Sequence, residues 1–425
     1  MTLDYGVYIA VSIFIITYIF IISEKINRTA IALFGASLLI GLKVISQEYA
    51  FDAIDFNTIG LLIGMMIMVS IIKKTGIFQY VAIKAAKKTK GDPFKIILTL
   101  FLITAISSAL LDNVTTVLLI VPVTLVITET LKTNPLPFLI PEILASNIGG
   151  TATLIGDPPN IMIGSATNLG FMDFALNLGP IVIIILGTTL IIFKFLYGKS
   201  ITVDQNLKDK LMTFDESKSI KDYSLLKKSL FVLGLTMIGF ILHQYIHLES
   251  ATVALIGASL LLIISKKDPE DILLEVEWST IFFFAGLFVL VGGLEKVGII
   301  EHLASGVLDL TKGDLMLTTL MILWVSALAS AFIDNIPFVA TMIPLIKSIG
   351  AMSAISIGPL WWALALGACL GGNGSLVGAS ANVIVAGFLQ KTDNKLSFIN
   401  FLKIGFPIMI LSVILSSVYL VLFYI

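Results

Sequence analysis

The chain has 425 residues, 57% hydrophobic and 13% charged, where a soluble protein carries about 25% charged residues. A net charge of −1 says nothing of an acidic or basic partner, no nucleic-acid partner is expected, and the single cysteine, Cys369, excludes an internal disulfide framework and a cysteine metal cluster. Many apolar runs approach the roughly 20 residues that a helix needs to cross a bilayer, and they do not alternate as barrel strands do, so the fold class is an all-α polytopic membrane protein.

Tyr5–Ser23 is the first predicted span; it lacks the basic leader and small-residue cleavage site of a signal peptide. Thr29–Gly41 follows after the polar stretch 24–28. An acidic loop, 47–55, precedes the third span, Asn57–Ile72, whose Gly60 and Gly64 have the spacing of close helix packing. Ile77–Lys90 sets Lys84, Lys87, Lys88 and Lys90 against an apolar face, which predicts an amphipathic helix in the interface. Phe94–Leu111 and Val114–Leu131 flank Asp112-Asn113 and read as the arms of one re-entrant hairpin (94–131). Ile140–Ser165 is a span broken between Asn147 and Asn160, where Gly149, Gly150, Gly156, Pro158 and Pro159 do not sustain a helix. Pro180–Leu196 closes the first repeat (1–198), and 199–228 is the one long polar loop, a cytoplasmic linker.

The second repeat (229–425) has the same order: spans Leu230–Tyr245, Ala251–Ile264 and Thr280–Leu294, then an interfacial segment Ile299–Leu310. A hairpin (315–349) with Asp334-Asn335 at its tip follows, then a broken span (360–389) and a last span, Phe401–Tyr424. The interval between the two aspartates, 334 − 112 = 222, recurs along the chain. Thr89-Lys-Gly-Asp92 returns as Thr311-Lys-Gly-Asp314, Gly150 falls on Gly372, Gly156 on Gly378 and Asn160 on Asn382. This is an internal duplication. With each Asp-Asn pair at a hairpin tip, each half has five crossings. An odd number inverts the second half relative to the first. With the N-terminus outside, 23 of the 27 lysines and arginines fall in cytoplasmic segments, leaving Lys43, Lys296, Lys312 and Lys347 outside. Ten spans, two opposed hairpins and both termini outside are expected, in the cell membrane.

An aspartate at the centre of a membrane helix costs about 2.5–3.5 kcal/mol on insertion scales. Asp112 and Asp334 are therefore helix caps, cation ligands or proton carriers. Burial favours the protonated carboxyl and a bound cation favours the charged one, so one site can hold either, as antiport requires. Asn113, Thr115 and Thr116 add neutral oxygens of the kind a hard cation such as Na⁺ prefers, although Thr116 could instead bond back to its own helix. In the second tip Asn335 is kept and Pro337 replaces Thr115. Asn147, Thr151 and Asn373 lie in the interruptions, and Asn160 and Asn382 occur in both halves. Asp157, whose repeat partner is Ala379, serves either its Gly-Asp-Pro-Pro turn or coupling. Glu142 reads as interfacial or as a site residue, His243 and His247 as solvated loop residues, and Cys369 as packed. No nucleotide cradle, metal cluster or nucleophile with its base is present, so an enzyme is not expected, nor any cofactor beyond Na⁺ or H⁺ as coupling ion.

Residues 109–117 with 147–160 resemble the arsenite-pump/NhaD group of the ion transporter superfamily, its P-protein-like members most of all. More distantly the chain resembles the divalent-anion:sodium symporters and citrate-transporter-like proteins. The resemblance implies Na⁺ at hairpin and broken-span loops, a homodimer and an elevator movement. It assigns Asp112, Asn113, Thr115, Gly150 and Gly156 to one ion site. Asp334, Asn335, Gly372, Gly378 and Asn382 would form the other. It implies Na⁺/H⁺ exchange, with arsenite or antimonite export, or coupled transport of a dicarboxylate or citrate-like anion, as alternatives. A passive channel is the reading from another class. Expected partners are the lipid bilayer and a small ion or oxyanion.

Overall fold

The structure is a computed structural model that describes residues 5–23, 25–198, 201–390 and 394–425. Glu24, Lys199 and Lys391, which belong to the loops used for orientation, lie outside the described residues. In chain order α1 is Tyr5–Ser23, α2 Arg28–Gly41, α3 Gln47–Asp52, α4 Phe56–Lys74 and α5 Ile77–Lys88. The next five are α6 Pro93–Leu110, α7 Asn113–Thr130, α8 Leu136–Gly150, α9 Pro158–Thr167 and α10 Phe171–Tyr197. The linker carries α11, Gln205–Met212, and a single 3-10 turn, Glu216–Ser219. The second half has α12 Tyr223–Leu242, α13 Ser250–Ser265, α14 Pro269–Leu273, α15 Trp278–Lys296 and α16 Ile299–Thr311. It ends with α17 Leu315–Phe332, α18 Asn335–Met352, α19 Gly358–Gly371, α20 Ser380–Gln390 and α21 Phe398–Phe423. No strand occurs among the described residues.

The duplication is visible in where helices begin. Each helix from α2 to α9 has a counterpart, α13 to α20, that starts 222 residues later, as in 250 − 28 or 380 − 158. The cause is local chemistry that was copied. Asp92 and Asp314 each cap the first arm of a hairpin, taking the backbone N–H of Lys95 at 3.0 Å and of Leu317 at 2.7 Å. Asp112 and Asp334 do the same at the tips, for Thr115 at 2.7 Å and Ile336 at 3.2 Å.

Packing is reciprocal between the halves. Helix α4 crosses α13, and α15 crosses α2. A Cβ on Gly64 would lie 2.7 Å from the Ala254 carbonyl carbon, and one on Gly286 2.8 Å from that of Ala32. The small-residue spacing at Gly64 therefore marks a backbone-to-backbone crossing, used twice. Helix α6 lies along α8, and α17 along α19. The second arm of each hairpin reaches the other half, α7 packing on α20 and α18 on α9. Two groups of helices result: α1, α2, α4, α12, α13 and α15 in one, the hairpins and broken spans with α10 and α21 in the other. Outer helices keep large apolar side chains exposed, among them Ile183, Phe195, Phe231 and Leu422, as a lipid-facing surface does.

Several expectations change. Ten described helices are long and apolar enough to cross a membrane, but four of them are the hairpin arms. Each arm has 18 residues, about 27 Å of helix, so length does not separate arm from span. The tips nonetheless end inside protein, with Asn113 and Asn335 each 3% exposed. Helix α10 begins nine residues before the predicted span, at Phe171, and runs through Pro180. The polar loop is partly helical and docked: Leu211 and Ile220 are buried, and Lys221 N–H bonds the Thr75 carbonyl at 3.0 Å. His243 is buried rather than solvated, its Nδ1 2.9 Å from the Leu248 carbonyl. Glu142 is buried in protein where α8 meets α7, and accepts the Thr124 hydroxyl at 2.7 Å.

Candidate functional site

Two interrupted helices and two hairpin tips meet at the centre of the molecule, and side-chain amides hold them there. Helix α8 stops at Gly150 and α9 starts at Pro158. The carbonyls freed by this break need partners. Asn160 supplies them, its amide donating to the Thr151 and Thr153 carbonyls at 3.1 and 2.9 Å. Asn382 repeats the device between α19 and α20, donating to the Gly372 and Ser375 carbonyls at 2.7 and 2.9 Å. Each break folds back on itself so closely that a Cβ on Gly150 or Gly156 would meet the other's backbone, and Gly378 faces the Gly372 carbonyl likewise. These four glycines are thus accounted for by backbone approach.

The amides also join the halves. Asn147 is the hub: its amide donates to the side-chain carbonyls of Asn373 at 2.9 Å and Asn382 at 3.0 Å, and it accepts from Asn113 at 3.1 Å. Asn335 donates to Asp157 at 3.4 Å, and Cys369 donates to Asn160 at 3.5 Å. Asp157 makes no capping bond to its own helix, so its side chain serves the second hairpin rather than its turn. Its other oxygen has no hydrogen-bond partner, and neither has the buried Thr116 hydroxyl, which does not bond back to its helix. Thr151 differs: its hydroxyl does bond back, to the Asn147 carbonyl at 2.8 Å.

The two tip aspartates are equivalent in sequence and unlike in surroundings. Asp334 accepts Arg28 Nη1 at 2.7 Å and the Ser380 hydroxyl at 3.0 Å on one carboxylate oxygen. Asp112 has no lysine or arginine partner among the described residues. It lines a cavity of about 70 Å³ between the halves, together with Thr115, Glu277, Thr280, Ser380 and Arg28. Most of the wall is apolar, from Leu62, Met65, Leu111 and Ile161 among others; its side-chain oxygens come from Asp112, Thr115, Glu277, Thr280 and Ser380, and the sole cation on it, Arg28, is already engaged by Asp334. Hydroxyl and carboxylate donors of this kind suit a hard monovalent cation or a proton. Met66, Thr115 and Glu277 also border a larger crevice, about 400 Å³, that carries Lys73, Lys74 and Lys221.

The chain matches the citrate transporter family over residues 18–367. The chain belongs to that family. An uncharacterised transporter of Mycobacterium bovis is 44% identical over 418 residues, covering 97% of both chains. The P protein of Mus musculus is 37% identical over 97% of this chain and 59% of its own length. Among solved structures, the Alcanivorax borkumensis YdaH transporter superposes with a TM-score of 0.63 at 13% identity, covering 98% of both chains. Neisseria gonorrhoeae MtrF, described among antimetabolite efflux pumps, gives 0.59 at 11% identity, covering 99% of this chain and 95% of its own. These two likenesses concern the fold. Family and fold together make the chain a multi-pass membrane transporter and point away from an enzyme.

The predicted residues mostly converge. Asp112, Asn113, Asn147, Asp157, Asn160, Asp334, Asn335, Asn373 and Asn382 lie within this one network or at its edge. The sequence reading passed over Arg28, Glu277 and Ser380. Arg28 reads as a loop charge in the stretch 24–28, whereas it opens α2 and grips a hairpin tip. Its signal was available: it is the only arginine, against 26 lysines.

Proposed function

We propose that the chain is a secondary active transporter that exchanges a monovalent cation, Na⁺ first, for protons across the cell membrane. One observation carries this reading: Asp112 lines a cavity of about 70 Å³ beside a second carboxylate, Glu277, and the one cationic side chain lining that cavity, Arg28, is engaged by Asp334. A proton or a metal cation satisfies such a wall, and each excludes the other. Mechanistically, Asp112 takes the two in turn while Thr115 and Thr280 supply neutral oxygens. The hairpins and broken spans then move as one body against the remaining helices. Inequivalent contacts of equivalent residues support that movement. Glu277 lines one cavity with Asp112 at the first tip and another with Leu118 on the arm behind it, whereas its counterpart Asp55 lines one with Ala340, the counterpart of Leu118, and with Ile343 and Pro344 farther down the second arm. Inverted halves, outside termini and a homodimer belong to the same reading.

The test is a proteoliposome assay. An inward Na⁺ jump should alkalinise the lumen with wild type, and Asp112→Asn should reduce the rate at least tenfold. Equal rates for the two proteins would defeat the proposal. A second reading, Na⁺- or proton-coupled transport of a citrate-like anion, draws on the crevice holding Lys73, Lys74 and Lys221 next to the cavity. In the same vesicles, labelled citrate uptake driven by Na⁺ would favour it.

A further inference from the structure

We propose that Arg28 is a resident cation: its guanidinium fills, at the second hairpin tip, the place an exchangeable cation takes at the first. This rests on the cation-exchange reading above and adds a stoichiometry to it, one exchangeable cation per chain rather than two.

The duplication makes the expectation of two sites natural, since Asp112 and Asp334 occupy equivalent positions on equivalent hairpins. The side chains around them break the equivalence. Arg28 Nη1 lies 2.7 Å from the Asp334 carboxylate and 3.0 Å from the Ser380 hydroxyl, which itself bonds the same carboxylate oxygen. Carboxylate and hydroxyl oxygens converging on one positive centre are the donor set a small metal cation would use. The repeat counterparts of Arg28 and Ser380 are Ser250 and Pro158, so the first tip has neither part.

Arginine suits a permanent occupant. It keeps its proton at any pH a cell reaches, whereas a lysine in such a place can lose its charge. The chain otherwise relies on lysine, with one arginine against 26 lysines. The guanidinium is also fixed from behind, its carbon 5.1 Å from the centre of the Phe283 ring. Arg28 sits on α2, in the helix group that contains neither hairpin. Withdrawing it would expose Asp334 to a crevice of about 300 Å³ that Arg28, Asn27, Asp334 and Ser380 already line. A cation could then reach the vacated position.

Equilibrium binding of radiolabelled Na⁺ to the purified full-length protein tests this. Wild type should bind one Na⁺ per chain, and Asp112→Asn none. Arg28→Gln should bind two, and the pair Arg28→Gln with Asp334→Asn should return the count to one. A count that stays at one in folded Arg28→Gln overturns the inference while leaving the exchange reading intact. A count of two in wild type does the same, and it needs no variant to fold. No binding by wild type removes the exchange reading and the inference with it.

Discussion

Asn147 shows how much can depend on one side chain. Its amide and carbonyl touch Asn113, Asn373 and Asn382, tying the first tip and both ends of the second break to α8. Leucine at this position fills similar space and takes the bond to Asn147 from one polar atom of each, the Asn113 amide N–H and the Asn373 and Asn382 side-chain carbonyls, each costing about 1–3 kcal/mol when buried and unpaired. Asn147→Leu should therefore lower the midpoint of thermal unfolding well beyond the effect of a surface change, as read by fluorescence-detected size exclusion. An unchanged midpoint would mean the hub is decorative. Individual residues were unevenly legible. Asp112, Asn113 and the paired asparagines stand out because polar groups are rare in such an apolar chain and these recur at one interval. Arg28 did not, because its partner lies 306 positions away, and nothing in the local sequence separates a loop charge from a buried one. Glu277 was hidden similarly, at the end of a stretch already rich in acids.

Among elements, the α4–α13 and α15–α2 crossings depend on having no side chain at the contact. Gly64→Val or Gly286→Val should destabilise the protein by about 1–3 kcal/mol through overpacking, while Gly187→Ala, where a Cβ meets nothing within 4 Å, should be silent. Similar losses at all three would argue against the crossing as the cause. The linker offers a pH test. Lys87 Nζ lies 2.5 Å from Glu216, and that hydrogen-bonded ammonium holds the carboxyl below the usual glutamate range. A depressed value means the contact contributes fully above the unfolded pKa of about 4.3 and fades as pH falls through the folded value. Limited proteolysis near α11 should be slow at pH 7 for wild type and faster for Lys87→Ala, and the difference should shrink as pH falls below about 4, leaving the part that the Lys87 bond to the Phe214 carbonyl supplies. Element order and the hairpins were readable from periodicity, breakers and the repeat. The start of α10 was not, because Pro180 looks like a first-turn proline and instead sits within a continuous helix.

At the scale of the molecule, neither half owns a finished core. The second arm of each hairpin packs on the broken span of the other half, and Asn147 donates across the boundary twice. Expressed separately, residues 1–212 and 213–425 should aggregate or be degraded, and together they should co-purify as a stable pair. A first half that is monodisperse by itself would contradict this dependence. The duplication itself was plain in the sequence, yet the interlocking was not, since a repeat interval carries no information about which copy a helix chooses as neighbour. The asparagine seals have one more consequence. Each interruption is stitched by an amide from its own half, so both kinks arrive already closed. If the hairpins and broken spans move as proposed, such a pre-closed backbone would recruit no water to mend itself, and whatever solvent reaches the centre would be left to the cargo.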